Sequence, residues 1–318
     1  MPVRVARRHG GCVAAVRRAD VEGLAVPILA VHHVTTYRYR KPVGFGEHRI
    51  MFRPREGHDQ KLIETSLTIT PEPSDLRWLH DVFGNSVGVV RFERKRAAEL
   101  RFDSRVVLDH TPTNALDFPI EAYAATYPFS YDIDDLPDLA RSIERQYPDP
   151  DHEVERWVRR FVRPEGTNGT RELLATLTHA VRQSFDYVPR TERGVQEPTR
   201  TLRLGSGTCR DFAVFMIEAL RSLGLAARFV SGYIYVPQKS GSLGGGATHA
   251  WLRVYVPGAG WVELDPTNGI IGNRDLIRVG IARDHRHVLP LHGTWSGGPG
   301  DSLGMTVEVD VTASGPSA

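Results

Sequence analysis

The chain has 318 residues, 41% hydrophobic and 25% charged, a globular balance that excludes a disordered or low-complexity polypeptide. Its 40 Lys and Arg against 38 Asp and Glu leave a net charge of +2, too even for a nucleic-acid-binding surface. With only two cysteines, Cys12 and Cys209, a disulfide scaffold and a multi-cysteine zinc or iron–sulfur site are excluded.

Residues 1–27 hold Arg4, Arg7, Arg8, Arg17 and Arg18 among Gly, Ala and Val, with no periodic apolar face and no secretory apolar region. They read as a disordered or mis-called extension, and Cys12 as incidental to it. The longest apolar run, 24–31, contains Pro27 and falls far short of the roughly 20 residues of a membrane span. No membrane partner and a cytoplasmic, reducing setting are expected.

From Ala30 the pattern becomes period two. Val31, His33, Thr35, Tyr37 and Tyr39 share one parity, and further strand-like runs follow at 50–52, 67–69, 76–80, 87–92 and 100–108. Pro42, Gly44, Pro54, Gly57 and the turn at 82–85 punctuate them. Residues 28–112 are therefore predicted to form an antiparallel β-sandwich domain. A Pro-, Asp- and Tyr-rich connector follows at 113–150.

The second domain is predicted over 151–311, with helices first. Asp149-Pro150 opens a stripe of Val154, Trp157, Val158, Phe161 and Val162; Thr170 opens a second with Leu173, Leu174, Leu177 and Val181. A third helix starts near Cys209, buries Phe212, Met216 and Leu220, and stops at Gly224. Strands follow at 227–236, 249–256 and 261–265, with a last one at 303–311 before a tail at 312–318. The fold class is α+β, helices packed on an antiparallel sheet behind a β-rich front.

Cys209 follows Gly205-Ser206-Gly207-Thr208 at a helix start, where unpaired N–H groups and the helix dipole favour a thiolate and can face a developing oxyanion. A buried structural cysteine fits the same position. In the strand from 249, His249, Trp251, Arg253 and Tyr255 share a face; in the next, Trp261, Glu263 and Asp265 do. A three-residue connection at 256–258 would set His249 opposite Asp265 and Arg253 opposite Trp261. An imidazole beside a carboxylate has its tautomer fixed and its cation stabilised.

These residues form a pattern. Gly207-Thr208-Cys209-Arg210-Asp211-Phe212-Ala213, Gly232-Tyr233, Thr248-His249-Ala250-Trp251 and Gly260-Trp261-Val262-Glu263-Leu264-Asp265-Pro266 resemble the bacterial transglutaminase-like superfamily. Thr36-Tyr37-Arg38-Tyr39, Arg53-Pro54-Arg55 and Asp81-Val82-Phe83-Gly84-Asn85 resemble the β-rich N-terminal region found beside that core, and 282–293 its post-catalytic segment. The resemblance implies a papain-like core with Cys209 as nucleophile, His249 as general base and acid, and Asp265 as the orienting acid. It implies a thioester enzyme acting on peptide or carboxamide bonds, as a protease or amidase or as a protein-glutamine transglutaminase. A non-catalytic peptide-binding module of the same fold is the alternative.

Tyr233, Trp251 and Trp261 are candidate substrate-binding residues, although aromatic residues near a sheet also serve packing. Asp211 reads as a helix-start or buried hydrogen-bonding residue. The His285-x-His287 pair lacks a further carboxylate or cysteine at metal-ligand spacing, so no metal and no cofactor is expected. The glycine-rich run 238–247 lacks the Lys-Ser/Thr ending of a phosphate loop and reads as a loop gating entry.

Overall fold

The computed structural model describes residues 28–111, 117–163, 168–190, 192, 194–236 and 248–314. The expectations for residues 1–27, Cys12 and the run 238–247 therefore lie outside the described residues.

Strand β1 (Ile28–Ile50) is the spine of the first domain. Leu29, Val31 and His33 are buried in alternation, as the period-two pattern requires, and His33 to Thr36 are buried on both faces. Strands β2 (Gln60–Thr70), β3 (Asp75–His80), β4 (Ser86–Arg91) and β5 (Arg96–His110) join it in the order β2-β5-β1-β4-β3, all antiparallel. The domain is one hydrogen-bonded sheet that encloses its own core. Tyr39, Val43, Phe45 and Ile50 of β1 share a cluster with Ile69, Val90, Leu100 and Phe102.

The second domain opens with α1 (Leu136–Ile143), α2 (Glu153–Arg159) and α3 (Thr170–Ser184), the first inside the span expected to be connector. The Asp149 carboxylate accepts the Glu153 and Glu155 N–H groups, so Asp149 fixes the start of α2 from a distance. After α4 (Pro198–Leu204) comes the buried helix α5 (Cys209–Ser222), with Gly224 at positive φ beyond its end. The sheet follows as β6 (Ala227–Ile234), β7 (His249–Val256), β8 (Gly260–Asp265) and β9 (Leu276–Ala282), in the order β8-β7-β6-β9. Ala250, Leu252, Val254 and Val256 of β7 pack with Phe212, Phe215 and Met216 of α5 in one core.

The expected second domain is corrected at its end. Strands β10 (Leu291–Ser296) and β11 (Ser302–Ser314) pair with β1, so the chain returns to the first sheet instead of finishing the second. The tail expected from 312 begins no earlier than 315, because 312–314 still pair with 28–30. The physical reason is the length of β1: an edge of 23 residues needs covering, and Val307, Val309 and Val311 bring apolar side chains to do it.

The two domains share a core as well. Leu29, Val31, Val106 and Leu108 belong to the cluster that holds α5. Two side-chain amides stand in for a strand along β9. Gln60 accepts the Arg278 N–H at 3.0 Å and donates to its carbonyl at 2.9 Å. Asn85 accepts the Ile281 N–H and donates to its carbonyl, both at 2.9 Å. The Arg278 guanidinium completes the seam with two bonds to Asp59, 2.6 and 2.7 Å, and one to Glu263 at 2.9 Å.

Candidate active site

The first turn of α5 is fixed by Asp211. Its buried carboxylate accepts the Thr208 N–H and hydroxyl, both at 2.8 Å, the Gln196 N–H at 2.7 Å, and two bonds from Arg190 at 2.9 and 2.7 Å. Burial alone would raise its pKa; the Arg190 and backbone bonds outweigh that and hold it at about 2. The preceding Gly207 must be glycine, since a Cβ there would lie 2.9 Å from the Asp211 Cβ and 3.1 Å from the Gln196 amide nitrogen. Cys209 therefore begins α5 on a rigid support, 7% exposed, among N–H groups with no intrahelical acceptor.

His249 opens β7 and Asp265 closes β8, both buried. The His249 Nε2–H donates to Asp265 Oδ2 at 2.8 Å. The carboxylate is held in turn by the Thr267 N–H at 2.9 Å and the Asn268 amide at 2.8 Å. Cys209 also favours charge on the imidazole, whose Nδ1 is buried with no hydrogen-bond partner among the described residues. Burial opposes charge on His249, but the Asp265 charge and hydrogen bond reverse the balance, so its pKa rises. Burial likewise opposes charge on Asp265, and the His249 charge keeps its pKa below the usual value.

The register differs from the expected one. Arg253 lies opposite Glu263, not Trp261, and the turn sits at 257–259. This shift of two residues keeps every side chain on its face, so His249 reaches Asp265 diagonally. The three catalytic candidates are brought together.

The three substrate-binding candidates are not. Tyr233 is 2% exposed and its hydroxyl pairs with His33 Nδ1 at 2.8 Å, a contact between the domains. Trp251 is wholly buried; its ring stacks at 25° on His249, and its indole N–H donates to Glu263 at 3.0 Å. It can orient the imidazole but has no surface to offer a substrate. Trp261 lies four residues from Asp265 along β8, roughly 13 Å, under the guanidinium groups of Arg228 and Arg253, 4.2 and 5.0 Å from its ring. Glycine at 232, opposite His249, is dictated by this packing, because a Cβ would meet the Ile277 carbonyl at 2.0 Å and the Trp251 ring at 2.8 Å.

His285 lies 3.3 Å from Asp284 and 3.4 Å from the Tyr147 hydroxyl, and His287 packs on Phe83. No group of three or more His, Cys, Asp or Glu suited to a metal occurs among the described residues.

Arg190, Gln196 and Tyr187 escaped the sequence reading. The pair Asp186–Tyr187 runs parallel to Ser206–Gly207, which sets the half-buried Tyr187 beside the start of α5, edge-on to Phe212. Burial first, then the Cys209 charge, raises the Tyr187 pKa, and no side-chain hydrogen bond occupies its hydroxyl among the described residues. A bridge of two residues leaves no periodic signal in a sequence.

Comparison with known proteins agrees with this architecture. Residues 29–109 match the bacterial transglutaminase-like N-terminal region, and residues 155–266 match the transglutaminase-like superfamily. An uncharacterized protein of Mycobacterium tuberculosis is 30% identical over 288 residues, covering 85% of this chain and 90% of that relative. One of Mycobacterium leprae is 33% identical over 142 residues, 44% of this chain and 50% of the relative. The crystal structure of a candidate cysteine protease from Cytophaga hutchinsonii superposes with a TM-score of 0.66 at 17% identity, covering 91% of each chain, a likeness of fold.

Proposed function

We propose that this chain, which belongs to the transglutaminase-like superfamily, is a thiol-dependent amidase or peptidase that works through a thioester on Cys209. The observation that carries this reading is the buried His249–Asp265 bond, which commits Nε2 and leaves Nδ1 for the thiol at the start of α5.

In the proposed reaction His249 Nδ1 holds the proton given up by Cys209, and the sulfur attacks the carbonyl carbon of a carboxamide or peptide bond. The negative oxygen that forms is met by the Cys209 N–H and by the neighbouring Tyr187 hydroxyl, which has no side-chain hydrogen bond to give up among the described residues. The C–N bond breaks as His249 returns the proton to the departing nitrogen. Water then attacks the thioester, His249 takes its proton, and the carboxylic acid leaves as the thiol is restored. A primary amine in place of water gives an exchanged amide instead, so the acceptor decides between hydrolysis and transglutamination.

Glutamine-containing peptides incubated with the protein, with and without a primary amine, test the reading. Peptide cleavage or ammonia release that disappears in Cys209→Ala supports it. Amine incorporation would assign the transferase outcome. Binding of peptides with equal affinity by both proteins and no turnover by either would overturn it in favour of a non-catalytic module.

A further inference from the structure

A second feature lies on the face of the β6–β9 sheet away from α5. Arg228 of β6 and Arg253 of β7 are directly paired across the strands. Both stand over Trp261, and the charge of Arg55 acts on each. None of the three has an acidic side chain within 4.0 Å among the described residues. Arg55 donates to the Phe83 carbonyl and to Asn85, and Arg228 to the Ser142 hydroxyl. The Arg253 Nε is buried with no hydrogen bond.

Among the nearby carboxylates, the charge of Asp138 acts on Arg228 and that of Glu263 on Arg253, and three are engaged with other groups. Glu263, opposite Arg253, accepts from Trp251 and Arg278. Asp59 is taken by Arg278 and Asn273. Asp81, near Arg55, accepts three bonds from Phe83 and Asn85. Three guanidinium groups thus repel one another in a partly desolvated place, an arrangement that is costly unless an anion joins it. Of the three, Arg55 also lines a cavity of about 540 Å³ with Arg53, Trp78, His80 and Ser86. Its acidic lining residue, Glu56, pairs with Arg53.

We propose that Arg55, Arg228 and Arg253 bind the oxyanion group of a small molecule, a carboxylate or a phosphate, that enters by the Arg53–Trp78 cavity. Guanidinium forks match both groups in geometry and charge. The site stands apart from Cys209 and does not depend on the acyl-transfer reading.

Calorimetric titration and thermal unfolding of the full chain with inorganic phosphate and with citrate, against sodium chloride at equal ionic strength, test it. Saturable binding and stabilisation by phosphate, citrate or both is expected, and the stronger anion identifies the group. Arg228→Met and Arg253→Met should each weaken that binding at least about tenfold. In chloride alone they should unfold no earlier than the parent, since repulsion is relieved. Arg228 is only half-buried, so its variant serves if Arg253→Met fails to fold. The proposal is overturned if neither anion binds better than chloride, or if both variants keep the parent's anion response. It is equally overturned if both unfold earlier in chloride, which would make the arginines structural partners of Trp261.

Discussion

Asp265→Asn removes one charge of a pair that is fully enclosed: both side chains have no solvent exposure and their bonded atoms are 2.8 Å apart. Unit charges with centres about 4 Å apart attract by about 4 kcal/mol at an effective dielectric of about 20. Stripping one partner from a buried pair costs about 3–5 kcal/mol by experience with other proteins. At about 1.4 kcal/mol per factor of ten, the equilibrium constant for protonating His249 should fall by roughly two to three orders of magnitude. Burial, then opposed chiefly by Cys209, favours the neutral imidazole. The assay is alkylation of Cys209 by iodoacetamide as a function of pH, in a Cys12→Ser background. The parent should be alkylated quickly near neutral pH and the Asp265→Asn variant markedly more slowly, because a protonated His249 is what supports the thiolate. Superimposable profiles would refute the ion-pair reasoning.

Tyr187→Phe should lower kcat about 10- to 100-fold with KM little changed, because a donor to the developing oxyanion acts in the transition state; a change confined to KM would remove Tyr187 from that role. Asn85→Ala deletes both bonds to Ile281 and should cost about 2–4 kcal/mol in urea unfolding; a loss under about 0.5 kcal/mol would mean that the seam does not depend on it. Asp211, depressed from 3.8 to about 2, contributes stability that is present above pH 3.8 and is lost as pH falls towards 2. That contribution is about 2 kcal/mol, and Asp211→Asn should flatten this part of the stability–pH curve. An unchanged slope would count against it.

Cys209, His249 and Asp265 are legible as candidates because the signals for them are local and periodic. Cys209 lies where a helix must start, and the faces of His249 and Asp265 depend only on strand parity, which survives the two-residue shift in register. The aromatic candidates failed for the converse reason. Parity places Trp251 beside His249 but does not say that the first domain covers that face, and Tyr233 turns to His33, 200 residues earlier. The partners of Asp211 and the destination of β11 are long-range choices made by an uncovered carboxylate and an uncovered sheet edge. Neither has a period to read.

The pairing of β1 with β11 also governs time. Ile28 lies against Ser314 and Val31 against Val311, so β1 waits for residues 280 positions further along the chain (311 − 31) before one of its edges is covered. A ribosome adding about 5–20 residues per second would leave that edge open for roughly 15–60 seconds, long enough for a bare 23-residue strand to find other partners. The sheet around β1 emerges before the helices and is completed after them, and a chain stopped before 302 should fail by aggregation more than by inactivity.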